Sequence, residues 1–295
     1  MIMAESPYIY RNAIKRSICY GAIALLATLA TVMHSKDITL FVHGTKLPGV
    51  EHINGVIPHG LHQADTLTDE NHPHTTITAL CTGSVPFTHA DQLYFYGWDG
   101  VFPLQREWAA QELYTALCAL IKKLQLEEGE CLHIRCIAHS YGGNVILYLL
   151  DTIDKNQSPI VIDELILLGC PIIGTTHDYI KANAVQAIYN IYSSGDTIQK
   201  LDPQGVFPES YQNEKKPQGL FSERTFNASQ DNLWQIEVEV DSKEIGHLEF
   251  IQEPFLQSLA QIIQEAKKHT CGMLKINTLV EQKNAIEHIN LTIKK

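Results

Sequence analysis

The sequence predicts an α/β fold around a mostly parallel central sheet, and three observations carry that expectation. Asp37–Val42 (DITLFV) is a continuous apolar strand, the kind a sheet covered on both faces requires. Cys131–Ile137 (CLHIRCI) is β-rich and passes through a small-residue turn, Ala138 to Gly143, into the apolar run Asn144–Leu150 (NVILYLL). Further strand-like runs alternate with two strongly patterned helices, at about 105–124 and 249–268.

The elements follow in order. Arg11, Lys15 and Arg16 precede an uncharged stretch from Ser17 to Met33, with the small residues Ala27 and Ala30 near a plausible cleavage point. The apolar heart of that stretch, about 16 residues, falls just short of a comfortable membrane span. Three readings of 1–36 stay open: a cleaved signal, an uncleaved anchor, or an apolar helix packed on the domain. The short tether after Met33 ranks the anchor second, and an exported or membrane-associated protein is expected over a cytoplasmic one.

The strand at 37–42 runs directly into His43-Gly44-Thr45. A glycine there lets backbone approach a bound group with no Cβ in the way, and His43 reads as a turn-stabilising residue. The insertion 46–91 is rich in Gly, Pro, Thr and His. His52, His59, His62, His72, His74 and His89 concentrate in it, with Asp65, Asp69, Glu70 and Asp91. A loop this long inside a compact domain is usually functional, and it leaves the edge of the sheet that carries the 43–45 turn, so a flap over a site is expected. A metal site is not assigned, since no tight histidine pair lies on a predicted helix and His72-Pro73-His74 is a kinked turn.

A strand at about Leu93–Tyr96 ends at Trp98 and Asp99, where Trp98 reads as a core aromatic before a pocket wall. Arg106 opens the helix 105–124 and is expected to pair with a nearby acid. The turn IAHSYGG (137–143) then isolates Ser140 between strand and helix. Ala187–Tyr192 (AIYNIY) is a strand followed by Ser193-Ser194-Gly195-Asp196, which puts an acid just past a strand's carboxyl end. The insertion 202–230, with Pro203, Pro208 and Pro217, is polar and turn-rich, in keeping with a lid or a pocket lining. Leu233–Val240 (LWQIEVEV) alternates cleanly and reads as the last, edge-exposed strand. Its following loop, Asp241–Gly246, delivers His247 ahead of the helix 249–268. The tail 269–295 reads as a helix-like charged extension.

Ser140, Asp196 and His247 are the residue types that make a serine nucleophilic. A hydroxyl attacks only as an imidazole takes its proton, and a carboxylate fixes the imidazole's tautomer and stabilises its cation. Taken singly, Asp196 is also a common turn aspartate and His247 a common capping histidine. Their chain order, Ser…Asp…His at one sheet edge, is what favours the joint assignment.

On the blocks FVHGT (41–45), FYGWDG (95–100), QREWAAQELYTALCALIKKL (105–124), IAHSYGGNV (137–145), LILLGCPI (165–172), IYSSGDTIQ (191–199) and IGHLEF (245–250), the chain resembles α/β-hydrolases. Its layout is closest to small lipase/esterase-like members that lack the fold's first two strands, and the resemblance spans about 37–268. It implies a three-layer sandwich with lid-like insertions, with Ser140 as nucleophile, His247 as general base and Asp196 as acid. It also implies backbone N–H groups of Thr45 and Tyr141 as oxyanion donors, no cofactor, and cleavage of lipid or other acyl esters through an acyl-enzyme. Ala138 stands where the family pattern has its first glycine. The turn Leu168–Pro171 is expected to shape the pocket wall. An acyltransferase using the same residues, or a non-catalytic binding protein on the same fold, remains the alternative.

Composition sets the remaining bounds. A net charge of −11 disfavours nucleic acid and anionic membrane surfaces as partners. Seven cysteines at irregular spacing form no zinc or disulfide signature, and Cys118, Cys136 and Cys170 read as buried hydrophobes.

Overall fold

The structure is a computed structural model that describes residues 36–45, 57–67, 73–82, 86–100, 103–127, 129–200, 221–228, 230–281 and 285–292. Outside those residues lie the stretch Ser17–Met33 with its export or anchor assignment, His52 and His72, and most of the insertion 202–230. Among the described residues, no helix is long and apolar enough to cross a membrane.

Ten strands form one sheet among the described residues. Its centre comprises β1 (Lys36–Val42), flanked by β3 (Leu93–Gly97) and β4 (Leu132–His139), parallel to both. Beyond β4 the parallel pairing continues through β5 (Ile160–Leu168), β6 (Val185–Tyr192), β7 (Leu233–Val240) and β9 (Gly272–Glu281). Three strands run antiparallel to their neighbours: β2 (Gly60–Gln63) on β3, β8 (Lys243–Glu244) on β7, and β10 (Ala285–Thr292) on β9.

Helices lie on both faces, and strand alternation sorts the core accordingly. Ile38, Leu40 and Val42 of β1 pack with α2 (Pro103–Lys123) and α3 (Gly142–Asn156), whereas Phe41 packs with α1 (Pro73–Thr82) and α4 (Glu253–Ala266). In α3, Val145, Ile146, Leu149, Leu150 and Ile153 form a buried stripe at helical spacing. In α4 the stripe is Phe255, Leu256, Leu259, Ile262, Ile263 and Ala266. Each such leucine or isoleucine contributes about 1.5–3 kcal/mol when fully buried. The helix expected from Glu249 begins only at Glu253, because Pro254 lacks an N–H and fits only the first turn. Glu249–Ile251 instead forms a separate 3₁₀ turn.

Three sequence expectations are corrected. The insertion 46–91 is not one long loop: β2 extends the sheet beyond β3, and α1 packs against α4, with Ala79 and Leu80 buried among Phe87, Leu93 and Phe95. Its helical signal is weak in sequence because Thr75, Thr76 and Thr78 break up a short apolar stripe. The flap expectation falls on residues 46–56 and the other parts of the insertion that lie outside the described residues. The tail is strand, not helix. Leu274, Ile276 and Thr278 turn inward while Lys275 and Asn277 are partly exposed, a period of two that charged residues obscure. As a result β7 is an interior strand, paired in parallel with β9, and the compact unit runs past residue 268.

Candidate active site

The carboxyl ends of β1, β4, β6 and β7 point the same way, and the loops leaving that edge carry every site residue expected from the sequence. Ligands of open α/β sheets bind at this edge. Ser140 sits between β4 and α3 with φ +53, a left-handed conformation costing a non-glycine residue about 1–3 kcal/mol. Its N–H donates to the Leu168 carbonyl at 2.9 Å, so the end of β5 holds the turn.

Close packing explains the small residues around this turn. A Cβ on Gly44 would lie 2.7 Å from the Cβ of Ser140, one on Gly142 would meet the carbonyls of Val42 and His43, and one on Gly143 would meet the Cys170 thiol. The Gly44–Thr45 turn therefore rests directly against Ser140. Tyr141 leads into α3, which puts its amide at the positive end of a 15-residue helix.

Ser140, His247 and Asp196 form a continuous hydrogen-bonded chain, all three buried. His247 Nε2 lies 2.8 Å from Ser140 Oγ, and His247 Nδ1 lies 2.7 Å from Asp196 Oδ2. A carboxylate oxygen can only accept, so Nδ1 carries the proton and Nε2 accepts from the serine hydroxyl. The second carboxylate oxygen, Asp196 Oδ1, accepts from the Gln199 N–H at 3.0 Å.

The supporting contacts are ones the sequence did not disclose. Arg224 Nη2 donates to the carbonyls of Ser194 (2.8 Å) and Asp196 (2.7 Å), clamping the acid turn. Buried Ser193 Oγ accepts from the Ile245 N–H at 3.0 Å, tying that turn to the loop that delivers His247. Gln199 Nε2 donates to the Cys170 carbonyl at 2.6 Å. Gly169, at φ +55, leaves room for the acid, since a Cβ there would come within 2.9 Å of Asp196 Oδ2. This gives the Leu168–Pro171 turn a sharper role than shaping a wall, and its glycine was the one available signal. Arg224 gave no signal, because nothing local to it marks a partner 28 residues away.

His139 was also missed. It is buried, its Nε2 donates to the His247 carbonyl at 3.0 Å, and the two rings lie 4.7 Å apart, centroid to centroid. Burial, with smaller contributions from His247 and His43, pushes its pKa down to about 3, so it stays neutral.

His43 holds the turn, as expected. Its Nε2 accepts from the Trp98 N–H at 3.2 Å, so Nδ1 carries the proton and faces the Gly44 carbonyl. Trp98 is a fully buried core aromatic whose indole N–H donates to the His43 carbonyl at 2.9 Å. Arg106, in the first turn of α2, is buried with its guanidinium 3.7 Å over the Tyr141 ring. Among the described residues, no group of three or more His, Cys, Asp or Glu is placed to hold a metal. In the insertion, His59 instead lies between Asp99 (3.4 Å) and Glu112 (3.1 Å), and His62 Nε2 donates to the His59 carbonyl. Cys136 and Cys170 are buried, whereas Cys118 is only partly so.

Compared with models of known protein families the chain matches none, and a search of curated proteins finds no match.

Proposed function

We propose that this chain is a serine hydrolase of the α/β-hydrolase type, cleaving carboxylic esters through an acyl-enzyme on Ser140. The observation that carries the proposal is the unbroken chain from Ser140 Oγ through His247 to Asp196. As the serine oxygen bonds to the substrate carbonyl carbon, His247 Nε2 takes its proton, and Asp196 stabilises the imidazolium that forms. The negative charge then developing on the carbonyl oxygen is met by the amides of Thr45 and Tyr141. Each donor of this kind contributes about 3–4 kcal/mol to the barrier reduction in comparable sites. His247 next returns the proton to the departing alcohol, and water repeats the sequence to release the acid. No cofactor enters. The left-handed serine and the glycines packed around it support this assignment, because they match a nucleophile held clear of a sheet.

Acyl esters with an apolar tail suit the surroundings. Ile198, two residues past Asp196, and Phe221, next to the Ser222 whose hydroxyl donates to the Gln199 carbonyl, expose large apolar side chains. The charge-then-apolar amino terminus supports work outside the cytosol or at a membrane. The test is hydrolysis of a p-nitrophenyl ester series of increasing acyl length by wild type and Ser140→Ala, with and without an added alcohol. Turnover by wild type alone is expected, with free acid as the main product. Equal, background rates from both proteins would refute the proposal, and ester formation with the added alcohol would make the protein an acyltransferase.

A further inference from the structure

Resting on the serine-hydrolase proposal above, we infer that His139 is a positioning residue that fixes the backbone of His247 so its imidazole spans Ser140 and Asp196. The residue immediately before the nucleophile is the last of β4 and pairs with Leu168 of β5, so the sheet fixes its backbone. Its side chain reaches the His247 carbonyl, 108 positions away, at 3.0 Å. A carbonyl only accepts, so His139 Nε2 carries the proton and is the donor. The same ring lies against the imidazole of His247, with centroids 4.7 Å apart and planes tilted by 41°.

This contact meets a real need. His247 comes from a loop after β7, three strands from β4 in the sheet, and its ring must satisfy two partners at 2.7 and 2.8 Å. Ser193 holds that loop at Ile245 from the acid side. His139 holds it at His247 itself, from the serine side. A donor kept neutral serves better here than a cation. A protonated ring would repel the imidazolium that forms on His247 during attack, and burial keeps His139 neutral. Gly44 completes the pocket, since a Cβ there would come within 3.3 Å of His139 Nδ1. One ring is thus enclosed by the nucleophile's strand, the Gly44 turn and the base.

The experiment compares wild type, His139→Phe and His139→Gln for kcat and KM on a short acyl ester. Adduct formation with an alkyl fluorophosphonate and thermal melting are measured on the same proteins. Phe keeps an aromatic ring but removes the donor, whereas the Gln amide N–H replaces Nε2–H. His139→Phe is expected to lower kcat by about 10- to 100-fold, the scale of an ångström-level misplacement. KM should stay within about 2-fold, and His139→Gln should recover most of the lost kcat. An unchanged kcat in folded His139→Phe would overturn the inference. So would folded His139→Gln as slow as the Phe variant, since the donor would then not be what matters. Wild type that forms no adduct would overturn the serine-hydrolase proposal itself, and this inference with it; an adduct on wild type keeps the two questions apart.

Discussion

Between pH 7 and pH 4 the unfolded chain takes a proton on His139 that the folded chain refuses. Burial, then the neighbouring His247 and His43, lower this group from its ordinary 6.5 to about 3. The unfolded state therefore binds more protons throughout that window, and stability falls as pH falls from 6.5 towards 3. Each pH unit inside the window is worth about 1.4 kcal/mol, so the full effect is about 5 kcal/mol, and about 3 kcal/mol is lost by pH 4. Against a typical domain stability of about 5–15 kcal/mol, that loss is easily measured. The assay is urea unfolding of wild type and His139→Gln at pH 7, 6, 5 and 4, followed by tryptophan fluorescence. Every other ionisable group is common to the two proteins and largely cancels in the comparison. Wild type should lose about 3 kcal/mol more than the variant between pH 7 and 4. Stabilities that fall in parallel would show that His139 protonates as readily folded as unfolded, and its enclosed, neutral state would be refuted.

Asp196→Asn should fold normally yet lower kcat by about 10⁴-fold in steady-state ester hydrolysis, because an amide turned to donate to Nδ1 reverses the tautomer of His247. A much smaller loss would remove Asp196 from the proton relay. Gly44→Ala places a Cβ 2.7 Å from that of Ser140 and 3.3 Å from His139 Nδ1, so the turn must move. It should cost about 1–3 kcal/mol in a thermal or urea melt and slow acylation by about 10-fold or more. Glu164 tests the opposite pH direction. Burial pushes its carboxyl up, but bonds to Lys267 and Arg135 outweigh that and hold it below its ordinary 4.5. Its contribution is therefore present above pH 4.5 and lost as pH falls through the lowered value. Glu164→Gln should cost about 1 kcal/mol at pH 7, both cations being well exposed, and progressively less as pH falls below 4.5.

Local chemistry made the site's centre legible. A serine between a β-rich run and an apolar helix, flanked by Gly142 and Gly143, predicts a strained turn from residue types alone. Asp196 and His247 were legible because each directly follows a recognisable strand or precedes a patterned helix. Contacts made only by tertiary approach were not legible. His139 meets His247 across 108 residues, and Arg224 meets Asp196 across 28 through backbone carbonyls that carry no sequence identity. The tail misled for a different reason. Leu274, Ile276 and Thr278 alternate properly, but Lys275, Glu281 and the charged residues beyond them suggest a solvated helix until β7 supplies a partner. In the insertion, β2 is four residues long and takes its strand character from pairing with β3.

The central claim is an activated serine, and the most direct measurement is the intact mass of wild type and Ser140→Ala after exposure to an alkyl fluorophosphonate. One adduct on wild type and none on the variant is the expected result, since only a hydroxyl whose proton His247 can take attacks the phosphorus. Equal labelling of both proteins, or none on folded wild type with detergent present, would contradict the account.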